Sequence, residues 1–366
     1  MDLQRLLSNT RRLAAIPAPT FEETERARVM ESLLATVPGW HIERDQAGNV
    51  LARLPGKIGP PLIVSAHLDS VFPVSFPLEI RQQQDRIYCP GIGDNALGLG
   101  CLVELAHDLG PGQLPGDLWL AANVAEEGLG NLAGMKALVD RFQGSPSAYL
   151  VIESTALGHL YHRALPVRRY RITIRGPGGH AWVHSGRPSA VHALLQLGTL
   201  LTRIRLPAKP ITTMNIGSVE GGSSINTLAA EAHIELEIRS ESRDILARVD
   251  RAIQRICAPE NVIPSLAVEI NLIGERPSGA IPPDHPLVEL AAGICAARLG
   301  LEPKLGIAST DASQPLSRGY PAICTGITRG GDAHSESEYI ETAPIAAGYE
   351  ALHEIIKSWM ELQVSS

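Results

Sequence analysis

Four uninterrupted apolar runs constrain the fold of this chain more than any other feature. The runs lie within PLIVSAHLD, DLWLAANVA, SAYLVIES and PAICTGI, and segments with helical spacing of apolar residues lie between them. A run that is apolar on both faces is typical of a strand buried on both sides in a parallel sheet. Alternation of such strands with helices predicts a three-layer α/β/α domain with a mainly parallel sheet.

The pattern changes near residue 167. VRRYRITIRG alternates polar and apolar residues, as a half-exposed antiparallel strand does. The predicted elements that follow have the order β-α-β-β-α-β, which is the ferredoxin-like arrangement, and the α/β pattern returns at about residue 281. We therefore predict one α/β domain formed by residues 1–166 and 281–366, interrupted by an inserted α+β domain at residues 167–280. A chain of 366 residues also exceeds the size at which a single core usually stops growing.

The N-terminal region carries two local signals. MDLQRLLSNTRRLAAI has the pattern of an amphipathic helix and lacks the apolar block of a signal peptide. Thr20 is followed three residues later by Glu23, a capping-box spacing that predicts the start of a second helix at Thr20. No apolar run approaches the roughly 20 residues that a membrane span needs, so we expect a cytoplasmic protein without a membrane partner.

Composition argues against other partners. A formal net charge of −7 and an aromatic content of 4% disfavour a nucleic-acid-binding surface, because phosphate backbones select basic faces. The five cysteines are scattered and include no C-x-x-C pair. We therefore expect reduced, mostly buried thiols and no thiolate zinc site.

Polar residues follow the predicted strands at the edge where open parallel sheets bind ligands. Singly, each has an ordinary explanation: a lone histidine can be structural, Glu153 can lie on the surface, and Asp94 can cap the following helix. Together they predict a metal site. The candidate residues are His67, Asp94, Glu126, Glu127, Glu153 and His334, with Asp69 two residues beyond His67.

Imidazole and carboxylate ligands without sulfur fit zinc, and less exclusively cobalt or manganese. Their number is too large for one tetrahedral ion and suits two ions with a bridging carboxylate and a shared water. Glu126 and Glu127 point to opposite sides if the segment is extended, so one can bind metal while the other takes a proton. The residues alone leave open which does which. Asp69 is either the carboxylate that orients His67 or a turn residue.

Six motifs now carry a family resemblance: SAHLDSVF, GIGDNALG, VAEEGLGN, VIES, GPGGHAWVHSGRPSA and GGDAHSESEYI. In this order they resemble the M20 family of co-catalytic zinc exopeptidases and amidases, which includes tripeptidase T, glutamate carboxypeptidase G, aminoacylase, and acetylornithine and succinyl-diaminopimelate deacylases. The resemblance spans nearly the whole chain. It implies that His67, Asp94 and Glu153 hold one zinc ion and that Asp94, Glu127 and His334 hold the other. It also implies that Glu126 is the general base and that Asp69 is the partner of His67.

The resemblance extends to the inserted domain, which it implies is a lid. His180 in GPGGHA matches a histidine that steadies the oxyanion, often in a neighbouring subunit, so a homodimer through the lid is expected; as a single residue it could belong to an ordinary glycine-turn loop. INTLAAEAHIELEIRS resembles the segment that places Asn226 and Arg239 near the substrate. Arg239 matches a carboxylate in shape, although alone it could be a solvated strand-end charge. The loop at Ser309–Asp311 resembles one near the site and could equally be structural.

The leading functional hypothesis is an exopeptidase that acts on short peptides. The alternative is a deacylase of N-acyl amino acids with the same mechanism. The cues conflict, because tripeptidase T-like members usually have Asp where this chain has Glu153, while the STDA loop resembles theirs. A non-catalytic binding protein would lack a base or ligand, and every expected position is filled. The G-x-G at Gly91–Gly93 does not predict dinucleotide binding, since QQQDRIYCP before it is polar and the spacing is wrong.

Overall fold

The computed structural model describes residues 1–258 and 265–365. Within these residues the α-helices are α1 (Leu3–Ala14), α2 (Thr24–Ala35), α3 (Leu97–Asp108), α4 (Ala133–Phe142), α5 (Ala190–Thr202), α6 (Arg243–Ile256), α7 (Pro286–Leu299), α8 (Ser313–Ser317) and α9 (Ile345–Ser365). None of these helices is both long enough and apolar enough to cross a membrane.

The strands of the first half of the chain are β1 (His41–Arg44), β2 (Val50–Leu54), β3 (Leu62–His67), β4 (Arg81–Gln83), β5 (Arg86–Tyr88), β6 (Leu118–Asn123), β7 (Ala148–Ile152), β8 (His159–Ala164), β9 (Val167–Arg175) and β10 (Gly179–His180). Those of the second half are β11 (Thr212–Gly221), β12 (Thr227–Leu228), β13 (Glu231–Ser240), β14 (Ala267–Arg276), β15 (Gly279–Ala280), β16 (Lys304–Ala308), β17 (Ala322–Thr325), β18 (Gly330–Gly331) and β19 (Tyr339–Glu341).

The chain divides into two compact units. Unit 1 comprises Met1–Ala164 and Ser278–Ser366, and unit 2 comprises Leu165–Pro277. Each unit has a separate cluster of buried apolar side chains. The predicted α/β class with a mainly parallel central sheet is confirmed.

Unit 1 is built on a nine-stranded sheet in the order β1-β2-β6-β3-β7-β17-β8-β15, with β16 also paired to β8. The central strands β6, β3, β7 and β17 are parallel, whereas β1, β2 and β15 pair antiparallel with their neighbours. Strands β3, β7 and β17 are buried along their whole length, as their unbroken apolar runs predict. Their carboxyl ends share one edge, where His67 of β3 lies opposite Asn123 of β6.

A small antiparallel sheet of unit 1 has the order β18-β19-β5-β4. The polar stretch QQQDRIYCP supplies most of the short strands β4 and β5, and Ile87 is the one buried residue of these two strands. The stretch is therefore not the buried parallel strand that a dinucleotide-binding glycine loop requires. Strand β19, which pairs with β5, follows the segment that carries His334.

Unit 2 has the strand order β14-β9-β13-β11, antiparallel throughout. Helices α5 and α6 both contact β13, and their apolar side chains form the core of the unit with the inward-facing residues of β9 and β13. The short pair β10 and β12 is added to the ferredoxin-like set. On the strands, Arg169 pairs with Glu237 and Arg171 pairs with Glu235.

The predicted capping box at Thr20 is wrong. Helix α2 begins at Thr24, with Glu23 at the N-cap and no side-chain cap hydrogen bond. The Thr20 hydroxyl instead donates to Asp69, and the Glu23 carboxylate accepts from the backbone N–H groups of Phe21 and Ala125. Two polar groups that fit a local cap are thus used for tertiary hydrogen bonds, which the spacing of the residues does not reveal.

Candidate metal centre

Asp94 lies between two histidines. His67 Nε2 is 2.9 Å from Asp94 Oδ1, and His334 Nε2 is 3.0 Å from Asp94 Oδ2. The N-cap of α3 is Ala96, with no side-chain cap hydrogen bond, so Asp94 does not cap this helix. Its two carboxylate oxygens face different imidazoles, which is the arrangement that a bridging ligand needs.

The other two carboxylates lie one on each side of Asp94. Glu153 Oε2 is 4.0 Å from His67 Nε2, whereas Glu127 Oε1 is 3.3 Å from His334 Nε2. Ligand atoms of His67, Asp94 and Glu127 also lie within 4.8 Å of one another. The structure therefore brings together all five residues that the family resemblance implies as metal ligands.

The electrostatics of the cluster favour bound positive charge. Hydrogen bonds to Asp94 and Glu127 raise the pKa of His334 to about 10. Burial alone would lower the pKa of His67, but hydrogen bonds to Asp69 and Asp94 hold it well above its usual value. Burial, together with the neighbouring carboxylates, raises the pKa of Glu153 well above the normal range. The raised pKa values show that the crowded carboxylates stabilise positive charge at this position, and a metal cation would be stabilised in the same way. The nitrogen and oxygen donors fit zinc.

Asp69 organises the loop behind the cluster. Its Oδ1 accepts the backbone N–H of Glu126 at 3.0 Å, and its Oδ2 accepts the N–H of Glu127 and the hydroxyl of Thr20, each at 2.9 Å. His67 Nδ1 lies 3.0 Å from the backbone oxygen of Asp69 and 3.4 Å from Oδ1. A proton on Nδ1 leaves Nε2 as the ligand nitrogen, facing Asp94.

The adjacent glutamates have different surroundings. Both are buried, and Glu127 faces His334. Glu126 acts on the other side of the cluster, where its charge contributes to the raised pKa of Glu153. Ala125 just before them has a left-handed backbone with φ of 55°, and its N–H is held by Glu23. Neighbouring residues can therefore perform different functions here.

Residues His180, Asn226 and Arg239 lie in unit 2. His180 Nδ1 accepts the backbone N–H groups of Trp182 and Val183, at 3.2 and 3.4 Å, so the ring proton belongs on Nε2. The backbone oxygen of Asn226 accepts the N–H of Ala181.

The guanidinium of Arg239 is already paired. Its Nε and Nη2 donate to the two carboxylate oxygens of Glu237, at 2.6 and 3.1 Å, and Glu237 also accepts from Arg169. In unit 1, a hydrogen bond connects the Ser309–Asp311 loop to the end of β6. Asn123 Nδ2 donates to Asp311 Oδ2 at 2.7 Å, and both side chains are fully buried.

Two supporting carboxylates are not apparent from the sequence. Glu23 has the spacing of a helix cap, and no pattern in HSESE marks Glu338. Glu338 is buried and accepts backbone N–H groups from the loop of Asp94. Burial raises its pKa to about 7 even though these hydrogen bonds act in the opposite direction.

Imidazoles and carboxylates that meet at the carboxyl edge of a parallel sheet are typical of metal-dependent hydrolases. The chain belongs to peptidase family M20/M25/M40, whose family model matches residues 63–358. It is therefore a hydrolase of this family, and the resemblance found in the sequence is confirmed.

Similar proteins include both deacylases and peptidases. An acetylornithine deacetylase of Pectobacterium atrosepticum is 25% identical, in an alignment that covers 97% of this chain and 98% of that protein. The solved structure of a tripeptidase from Staphylococcus aureus has a TM-score of 0.81 at 23% identity and covers 99% of both chains. A dinuclear metal-binding peptidase of the M20 family from Bacillus subtilis has a TM-score of 0.67 at 17% identity, over 100% of this chain and 99% of that one.

Proposed function

We propose that this chain is an exopeptidase that hydrolyses a terminal amide bond of short peptides with two divalent metal ions. The observation that carries the proposal is the position of Asp94 between His67 and His334, with one further carboxylate on each side. The likeness to a tripeptidase along the whole chain and the STDA loop favour a peptide substrate.

We assign one ion to His67, Asp94 and Glu153, and the other to Asp94, Glu127 and His334. Divalent ions at such a centre supply a Lewis acid for the amide carbonyl and lower the pKa of a water molecule. Zinc fits the nitrogen and oxygen donors best, and cobalt or manganese can use the same set. The Bacillus subtilis relative that is described as a dinuclear metal-binding peptidase supports two ions.

Glu126 is the proposed general base. It takes a proton from the attacking water and returns it to the leaving nitrogen, while Glu127 remains a ligand. Asp69 holds the backbone of both glutamates and orients His67. The different surroundings of the two side chains support this division.

His180 is the proposed oxyanion donor. Because its Nδ1 accepts backbone N–H groups, Nε2 carries the proton and can donate to a developing negative charge. The donor can come from the same chain or from a second copy.

We also propose a homodimer through unit 2, supported by the exposure of Trp182 (85%) and Val183 (69%) in the loop after His180. Light scattering on purified protein tests it, and a monomeric mass would contradict it.

Arg239 and Asn226 are the proposed substrate anchors. Burial alone would raise the pKa of Glu237, but its bonds to Arg239 and Arg169 lower it, so the carboxylate is charged. The planar guanidinium fork of Arg239 matches a substrate carboxylate in shape, which supports its role as an anchor.

The second candidate is a deacylase of N-acyl amino acids. It is favoured by the acetylornithine deacetylase relative, which aligns along nearly its full length, and by Glu153 in place of an aspartate. Both candidates use the same centre and differ mainly in the group on the carbonyl side of the scissile bond, which is an aminoacyl or peptidyl group for the exopeptidase and a simple acyl group for the deacylase. For either function we propose a cytoplasmic protein, since all five cysteines are free and buried.

One substrate panel separates the candidates. Zinc-loaded protein is incubated with a free tripeptide, its N-acetylated form, its C-amidated form and a set of N-acyl amino acids, with products identified by mass spectrometry. Glu126→Gln serves as the blank. Cleavage of free tripeptides supports the exopeptidase. The modification that prevents cleavage, N-acetylation or C-amidation, identifies the terminus that the enzyme recognises. Cleavage confined to N-acyl amino acids would establish the deacylase instead.

A further inference from the structure

The carboxylate of Glu338 binds the loop that presents Asp94. The side chain is 1% exposed. Its Oε1 accepts the backbone N–H groups of Gly93 and Asp94, at 2.8 and 2.9 Å, and its Oε2 accepts the N–H of Gly91 at 2.9 Å. Three N–H groups of one short loop therefore end on a single buried carboxylate.

Glu338 belongs to the segment that presents His334. It lies four residues after His334 and directly before β19, which pairs with β5. Its backbone oxygen also accepts the N–H of Cys89 at 3.0 Å. Through its backbone and its side chain, Glu338 thus joins the two segments that carry Asp94 and His334.

The loop of Asp94 depends on this support because it has no regular structure. Asp94 and Asn95 have non-helical backbone angles, and α3 begins only at Leu97. Asp94 must nevertheless hold its two oxygens toward His67 and His334. Three hydrogen bonds to one buried side chain hold the loop in place, because a buried N–H group left without an acceptor costs about 1–3 kcal/mol.

We propose that Glu338 is a positioning residue, which fixes the Asp94 carboxylate between His67 and His334 and thereby sets the affinity of the centre for divalent metal. Residues outside the ligand shell that orient the ligands commonly change metal affinity by about 10- to 100-fold when they are removed. The inference rests on the metal centre of the proposed function and does not depend on the identity of the substrate.

Three variants test the proposal: Glu338→Ala, Glu338→Gln and the control Glu341→Gln. Glu341 lies three residues further on in β19, and its carboxylate pairs with Arg86 at 3.3 Å. Zinc affinity is measured by competition with a chelating indicator. The visible spectrum of the cobalt-loaded protein reports ligand geometry, and residue-resolved hydrogen exchange of the metal-free protein reports the three N–H groups.

The number of bonds that remain predicts graded results. Glu338→Ala loses all three bonds, so zinc affinity falls about 10- to 100-fold, the cobalt spectrum changes, and exchange accelerates at Gly91, Gly93 and Asp94. Glu338→Gln can keep Oε1 for Gly93 and Asp94 but presents an amide NH₂ to Gly91. Its exchange therefore accelerates at Gly91 alone, and its affinity falls by less than in Glu338→Ala. Glu341→Gln behaves as wild type.

A folded Glu338→Ala protein with wild-type zinc affinity overturns the proposal. If this variant does not fold, Glu338→Gln decides: weakened zinc binding supports positioning, and unchanged binding overturns it. None of these readouts uses turnover. A wild-type protein that binds zinc but cleaves no peptide would refute the proposed function and leave the zinc result for Glu338 valid.

Discussion

Replacement of Glu126 or Glu127 by glutamine tests the division of labour between two adjacent carboxylates. Glutamine has nearly the same shape as glutamate but cannot take a proton at neutral pH. In Glu126→Gln the backbone N–H to Asp69 Oδ1 is retained, because it involves no side-chain atom of residue 126. The change therefore removes the proton acceptor and leaves the loop in place.

The expected magnitude follows from the loss of one general base. Such a group contributes about 100- to 10,000-fold to turnover, equivalent to about 3–5 kcal/mol in the activation barrier. Metal content should remain at the wild-type level, since the five proposed ligands are unchanged. In Glu127→Gln, by contrast, the lost charge faces His334 at 3.3 Å, so metal affinity falls first and turnover recovers at raised zinc concentration.

The assay combines kcat on a tripeptide substrate with metal content after dialysis, for wild type and both variants. Near-normal turnover in Glu126→Gln would refute its role as the base. Loss of metal in Glu126→Gln, with retention in Glu127→Gln, would show that the two roles are exchanged.

Three further variants test the groups around the centre. Asp69→Asn keeps one acceptor oxygen for three donors, so we expect metal affinity to fall about 10- to 100-fold by indicator competition; unchanged affinity would refute the role of Asp69. Glu23→Gln keeps Oε1, which accepts both Phe21 and Ala125, whereas Glu23→Ala leaves the Ala125 N–H unpaired. Urea unfolding should show a loss of about 1–3 kcal/mol for the alanine variant, and equal stability of the two would contradict this. His180→Gln should lower kcat about 100- to 1,000-fold with metal content unchanged; a change in KM alone would argue for substrate binding instead.

The parallel sheet and part of the candidate metal cluster could be predicted from the sequence because both depend on local pattern. Strands β3, β7 and β17 are apolar on both faces, and a parallel sheet brings their carboxyl ends to one edge. His67, which ends β3, and Glu153, which directly follows β7, meet at this edge for that reason, whereas Asp94 and His334 reach the cluster from loops.

Supporting contacts depend on tertiary pairing and were not predictable in the same way. Glu338 is buried because β19 pairs with β5, and nothing in HSESE distinguishes it from its exposed neighbour Glu336. Thr20 and Glu23 fit a helix cap locally but bind Asp69 and Ala125. These contacts link residues that are far apart in the chain.

The pairing of Arg239 with Glu237 was accessible from the sequence. Residues i and i+2 of a strand share a face, and ELEIR places a glutamate two positions before the arginine. The bidentate geometry and the contribution of Arg169 required the structure.

A zinc titration of chelator-stripped protein tests the central claim most directly, with bound metal and tripeptide turnover followed in the same samples. The account predicts no turnover without metal, binding of two ions per chain, and loss of one of them in His334→Ala. Turnover that persists in excess chelator, or saturation of wild type and His334→Ala at the same single ion, would contradict it.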